Sequence, residues 1–221
     1  MSLPLSLPCL ALVTDRRLCQ DRPLEKKVSL AVEGGVELVQ LREKDLPGGT
    51  LLELAHRVNE AVGDQALFFV NERVDVALAC DADGVQLGEE ALPPRTVQQL
   101  AGERLLIGRS VHSVEGAVRA QAEGADLLLV GTIFPSGSHR DAPVAGVELL
   151  QQVARQVTIP VLAIGGVQEN NVAEVIRAGA GGAAVIRAIL AAGDPRQAAK
   201  RLSEALARAW EAQPVNRGGR G

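Results

Sequence analysis

Aromatic residues are almost missing: three Phe, one Trp and no Tyr make up 2% of the 221 residues. That leaves no stacking platform for single-stranded nucleic acid. It also means a core built from Leu, Val, Ile and Ala, which with the rest of the apolar residues reach 47%. An excess of one charge is also lacking. Twenty-three Lys and Arg face 27 Asp and Glu, for a net charge of −4, spread along the chain without a basic stripe. Nucleic acid is therefore not an expected partner. No apolar run approaches the roughly 20 residues that span a membrane. Cysteine is scarce and odd in number: Cys9, Cys19 and Cys80 show no metal-ligand spacing. They read as reduced thiols in a cytoplasmic protein. The opening "MSLPLSLPCLALVTDRR" looks superficially like a signal peptide, but it lacks a charged first region and prolines interrupt it. "CLALVTD" reads instead as the first strand.

What is present is alternation. Strand-like runs occur at "LALVTD", "VELVQLR", "ALFFVN", "DGVQL", "RLLIGRS", "DLLLVGTIF", "IPVLAIGG" and "GAAVIRA". Helical patterns lie between them. "LPGGTLLELAHRVNEAV" places Leu51, Leu54, Ala55 and Val58 on one face. "SVEGAVRAQAEGA" opens on a Ser113 cap and "DPRQAAKRLSEALARAW" on an Asp194 cap with Pro195 behind it. Strand then helix, repeated in units of roughly 25 residues, predicts an α/β fold with a parallel sheet. The first strand ends in "TDRRLCQ", without the glycine turn of an open dinucleotide-binding sheet, and no strand-linked G-x-G-x-x-G occurs. Eight units in this length predict a single (β/α)8 TIM barrel over residues 1–212. The polar, Gly-rich residues 213–221 form a tail expected to be disordered.

In such a barrel the carboxyl ends of the strands form the ligand-binding face. Polar residues gather there: Gln40, Arg42, Glu43 and Lys44 after strand two, and Asn71 and Glu72 after strand three. Gln86, Glu89 and Glu90 follow strand four, and Arg109, Ser110 and His112 follow strand five. Strand six opens into the long loop "GTIFPSGSHRDAPVAG", far longer than the usual 2–6 residues and rich in hydroxyls. Strands seven and eight end in "AIGGVQENN" and "GAGGAAVIRA". Two glycine-rich turns before helices suit a phosphate, bound through Gly165, Gly166 and the N–H groups near Ile186 and Arg187; a tight turn alone is the plainer reading. Gln40, Arg42 and Lys44 alternate, so they share one face and can meet a second anion, unless they are a solvated charge run. Glu72, Glu89 and Glu90 are hard oxygen donors able to hold Mg²⁺ or simply surface carboxylates. His112 fits either a structural hydrogen bond or proton transfer; His56 lies in a helix away from the strand ends.

The ordered series "VQLREK", "FFVNERVDVAL", "ADGVQLGEE", "IGRSVHS", "GTIFPSGSH" and "VLAIGG" resembles the thiamine-phosphate synthase and TenI family, over nearly the whole chain. The resemblance implies a transferase of thiamine biosynthesis. Such an enzyme joins hydroxymethylpyrimidine diphosphate to thiazole phosphate, expels pyrophosphate and uses Mg²⁺. Gln40, Arg42, Lys44 and Asn71 would cradle the diphosphate, with Ser110 near the pyrimidine. Ser136, Ser138 and His139 would meet the leaving group, as a closing lid. Gly165, Gly166, Val185, Ile186 and Arg187 would hold the thiazole phosphate, and Glu72 would hold Mg²⁺, weakly before substrate arrives. The partners implied are small phosphorylated heterocycles; a homo-oligomer is left open.

Three positions depart from the synthase pattern. Glu72 stands in place of Asp, Ala91 in place of a second Asp and His139 in place of Lys. "GRSVHS" is nearer the TenI branch, which isomerises the thiazole phosphate without metal, yet that branch's catalytic His is Thr132 here. A TenI-like tautomerase, using His139 or His112, and a non-catalytic binder of thiazole or thiamine phosphate therefore stand as alternatives.

Overall fold

The computed structural model describes residues 5–135 and 144–213. Eight parallel strands close into one barrel in the order β1 to β8, with β8 returning to β1. They are β1 (Cys9–Val13), β2 (Leu38–Leu41), β3 (Leu67–Asn71), β4 (Gly84–Leu87), β5 (Leu106–Val111), β6 (Leu127–Val130), β7 (Val161–Ile164) and β8 (Gly182–Val185). Cys9 faces Gly182 on one side of β1 and Ala11 faces Leu38 on the other. The helices are α1 (Leu24–Glu33), α2 (Gly48–Val62), α3 (Val74–Ala79), α4 (Pro94–Ala101), α5 (Val114–Ala122), α6 (Gly146–Gln156), α7 (Val172–Arg177), α8 (Arg187–Leu190) and α9 (Pro195–Glu211).

Two-residue periodicity sorts the strands into two cores. Cys9, Ala11, Val13, Leu127, Leu129, Leu162 and Ala184 point inward and fill the barrel. Leu10, Leu12, Leu128 and Val130 point outward and pack under the helices. The core is nearly free of aromatics but not wholly: Phe68 and Phe69 are fully buried, one on each side of the wall. Phe69 fits inside because its neighbour across the ladder is Gly84, where a Cβ would stand 2.5 Å from the ring.

The caps follow the sequence. Ser113 accepts from the Gly116 N–H at 3.0 Å and Asp194 from the Gln197 N–H at 3.1 Å. Two strands end earlier than the apolar pattern suggests. β6 stops at Val130, although Ile133 still donates to the Ile164 carbonyl at 3.0 Å. The run "GAAVIRA" is strand only to Val185, because α8 begins at Arg187. Of the tail, Gln213 is described, and its amide donates to the Ile176 carbonyl; residues 214–221 lie outside the described residues. Among the described residues no helix is long and apolar enough to cross a membrane. All three cysteines are free thiols.

Candidate active site

The carboxyl ends of the strands surround a cavity of about 830 Å³. Its floor is the top of the inner core: Val13, Leu129, Ile164 and Ala184. Gln40, Arg42, Lys44, Asn71, Glu72, Ser110, Gly165, Gly166, Val185, Ile186 and Arg187 all line it. Ser136, Ser138 and His139 lie outside the described residues, and so does the centre of the loop they belong to.

The wall after β2 is cationic and firmly seated. Arg42 is half-buried; among the described residues its guanidinium makes no side-chain hydrogen bond or ion pair, and its charge adds only a minor share to the lowering of the Asp15 carboxyl. Lys44 donates to Glu72 Oε1 at 3.2 Å. The backbone carrying both is fixed from below by residues whose role the sequence did not reveal. Thr14 Oγ1 accepts from the Arg42 N–H at 2.9 Å and donates to Glu43 Oε1 at 2.8 Å. Glu43, 5% exposed, also accepts from the Arg16 N–H and from Arg16 Nη1, both at 2.9 Å. Arg16 then grips Asp45 with two bonds of 2.7 Å, which hold the Asp45 carboxyl down at about 2.

Beside this wall, Gln40 Nε2 donates to Asn71 Oδ1 at 2.9 Å. Its Oε1 is buried without a donor among the described residues. Gln86, buried, donates to Ser110 Oγ at 3.1 Å, and Gly108 leaves it room: a Cβ there would stand 2.0 Å from Gln86 Oε1. Glu72 holds a left-handed backbone, φ 59°, uncommon for a residue with a Cβ; Asp81, which does not line the cavity, shares it at φ 52°. The Glu72 N–H donates to the Gln86 carbonyl at 2.9 Å. Gly88 clears space for its carboxylate, since a Cβ would lie 2.3 Å from Oε1.

Glu89, Glu90 and His112 also line the cavity, and Glu89 Oε2 lies 2.7 Å from His112 Nδ1. Arg109 does not line it. Its guanidinium donates to the Leu92 and Glu89 carbonyls at 2.9 and 2.7 Å and pins the β4–α4 loop; burial pulls its pKa down. His56 is exposed on α2, as the sequence suggested.

Opposite the cationic wall is the turn after β7. Gly165 and Gly166 both have positive φ, 99° and 63°. A Cβ on Gly166 would stand 2.5 Å from the Pro135 carbonyl oxygen, and one on Gly165 would stand 2.6 Å from Thr132 Cγ2. The turn is therefore both tight and pressed against the start of the β6 loop. The Asn171 amide steadies it, donating to the Gly166 carbonyl at 3.0 Å. Beside it the first amides of α8 have no intrahelical acceptor. The cavity thus carries a cationic wall, a turn of backbone amides and an apolar floor between them. That arrangement suits a flat heterocycle or two, anionic at both ends.

For a metal ion, Glu72, Glu89 and Glu90 are carboxylates that line the cavity, and Glu89 is already paired with His112. Ala91 packs against the core and offers no oxygen, and no group of three or more His, Cys, Asp or Glu among the described residues could hold a metal. Such a set fits Mg²⁺ shared with a substrate phosphate, since Mg²⁺ often takes only one or two carboxylates.

The profile of the family described as Thiamine monophosphate synthase matches residues 10–189. The chain is 43% identical over 194 residues to a thiamine-phosphate synthase of Pyrococcus furiosus, covering 87% of this chain and 92% of that protein. It is 44% identical over 202 residues to one from Methanoculleus marisnigri, covering 90% and 96%. The solved thiamine phosphate pyrophosphorylase from Pyrococcus furiosus superposes with a TM-score of 0.84 at 41% identity, over 91% of this chain and 96% of that one. A 3-hexulose-6-phosphate synthase, 20% identical with a TM-score of 0.69 over 89% and 99% of the two chains, shares the fold.

Proposed function

The chain belongs to the thiamine monophosphate synthase family, and from that premise we propose that it is a thiamine-phosphate synthase, coupling hydroxymethylpyrimidine diphosphate to thiazole phosphate with release of pyrophosphate. The observation that carries the reading is Arg42. A half-buried guanidinium that makes no side-chain hydrogen bond or ion pair among the described residues, beside Lys44 and across an apolar floor from a phosphate-type turn, calls for a large anion.

Arg42 and Lys44 take the diphosphate. Gln40 turns from the diphosphate to the pyrimidine: its amide nitrogen already serves Asn71, and its Oε1, without a donor among the described residues, is an acceptor. The exocyclic amine of an aminopyrimidine supplies the missing donor, relieving an unmet buried acceptor that costs about 1–3 kcal/mol. Ser110, oriented by Gln86, lies against the same ring. The thiazole phosphate sits on Gly165, Gly166 and the amides near Ile186 and Arg187.

The chemistry asks little of acid–base groups. The bond from methylene carbon to diphosphate oxygen breaks, and the diphosphate keeps the electron pair. The pyrimidine ring stabilises the methylene cation, and the thiazole nitrogen lone pair forms the new C–N bond. The residues contribute position and neutralisation of the departing charge. Glu72 would hold Mg²⁺ together with the diphosphate. Mg²⁺, when bound, supplies further neutralisation of that leaving group.

The test is a coupling assay with both substrates across a range of Mg²⁺. It should yield thiamine phosphate and pyrophosphate in equal amounts. Ala91→Asp, which restores a second carboxylate, should raise turnover most at low Mg²⁺. If no product forms while the thiazole is isomerised without metal, the tautomerase reading replaces this one; if neither reaction occurs but phosphate esters bind, the protein is a binder.

A further inference from the structure

The cavity continues past the diglycine turn. Its lining extends to α8 and α9, with Ala188, Ala191 and Ala198 as small side chains and Arg187, Arg201 and Glu169 as the charged ones. Arg187 is exposed and has no side-chain partner among the described residues. Arg201 meets Glu169 through Nε at 3.3 Å, with both side chains about half exposed, 55% and 51%.

One phosphate monoester on the turn leaves these groups without a task. Its oxygens are served by backbone amides at the turn and the start of α8. Two guanidiniums bordering an open branch beyond it match a further phosphoryl group, which guanidinium binds through paired N–H donors. We propose that this branch is a second phosphoryl subsite, taking a ligand whose heterocycle side chain ends in a diphosphate instead of a monophosphate. The proposal rests on the reading of the turn as the thiazole-phosphate site. Glu169 stands against it only weakly, because an exposed ion pair is easily exchanged and Arg201 can turn from the carboxylate to the phosphoryl group. Such an ester arises when a phosphoryl transferase adds a second phosphate to this enzyme's product. Bound here it would block the thiazole-phosphate site and act as a competitive inhibitor.

The test is calorimetric titration of the full chain with thiamine phosphate and thiamine diphosphate, which differ by one phosphoryl group. The diphosphate should bind about tenfold tighter, the scale of one charge-assisted contact. Arg201→Ala should erase that ratio, and Glu169→Gln, which frees Arg201, should enlarge it. Inorganic pyrophosphate is the third arm, and its affinity should not respond to Arg201→Ala. Equal affinity of the two esters in the wild type overturns the proposal, as does a ratio that survives Arg201→Ala. A matching loss of pyrophosphate affinity overturns it as well, making the branch a site for free diphosphate. If thiamine phosphate itself fails to bind, the turn is not the thiazole-phosphate site and both readings fall; if it binds and the ratio is one, only the second subsite falls.

Discussion

At Gly166 a single missing Cβ decides whether the site exists. The residue sits at φ 63°, and any side chain would press on the Phe134 and Pro135 backbone. Gly166→Val should therefore displace the turn and lower thiazole-phosphate affinity by at least about tenfold, as a left-handed backbone is strained for a β-branched residue. Calorimetry checks this, with Gly193→Ala as the companion, because nothing lies within 4 Å of a Cβ there. The diglycine was legible in the sequence, and so was its place at a strand end. Its tightness against Pro135 was not, since that contact joins residues 31 apart in the chain. Gln40 shows the same divide. Alternation placed it with Arg42 and Lys44 on one face, but only the bond to Asn71 reveals which of its atoms is left for a ligand.

Between β1 and β2 the relevant unit is a pair of strand ends tied by Glu43. Its carboxylate satisfies Thr14, the Arg16 backbone and the Arg16 guanidinium together. Glu43→Ala would strand those donors. It should destabilise the fold by about 1–3 kcal/mol, less than a fully buried pair would lose because Arg16 is partly solvated. Urea denaturation measures the loss, and KM for the pyrimidine diphosphate should rise as the Arg42 backbone loosens. The eight strands were legible because both faces of each are apolar. Their ends were not. Apolar residues continue past Val130 and Val185, and the breaks are set by the ladder with β7 and by the start of α8. Glu43 was visible as a polar residue at a strand end, but its partners lie 27 and 29 residues away, where local pattern has no reach.

Across the whole molecule the two ends of the barrel divide the labour. The carboxyl ends carry the cavity, and the opposite end carries stability. Glu37, just before β2, sits at that stable end, half-buried, and burial raises its carboxyl above the ordinary 4.5. A carboxyl raised in the folded state holds its proton there longer than in the unfolded chain. Stability therefore falls as pH rises from the unfolded value through the raised one, and the penalty is complete at neutral pH. Glu37→Gln should raise the melting temperature at pH 7, with the advantage vanishing at about pH 4. Thermal melts of both proteins across that range check the sign.

In the proposed reaction the two anion sites are separate, with Arg42 serving the diphosphate and the diglycine turn serving the thiazole phosphate. The most direct measurement takes Arg42→Ala through the coupling assay and, in parallel, through calorimetry with thiazole phosphate alone. Coupling should fall by about 10²–10³-fold, the scale of removing a group that meets developing charge, while thiazole-phosphate affinity should stay within about twofold, the usual effect of a change away from a contact. Coupling at the wild-type rate in this variant, or loss of thiazole-phosphate affinity equal to the loss of coupling, would contradict this assignment.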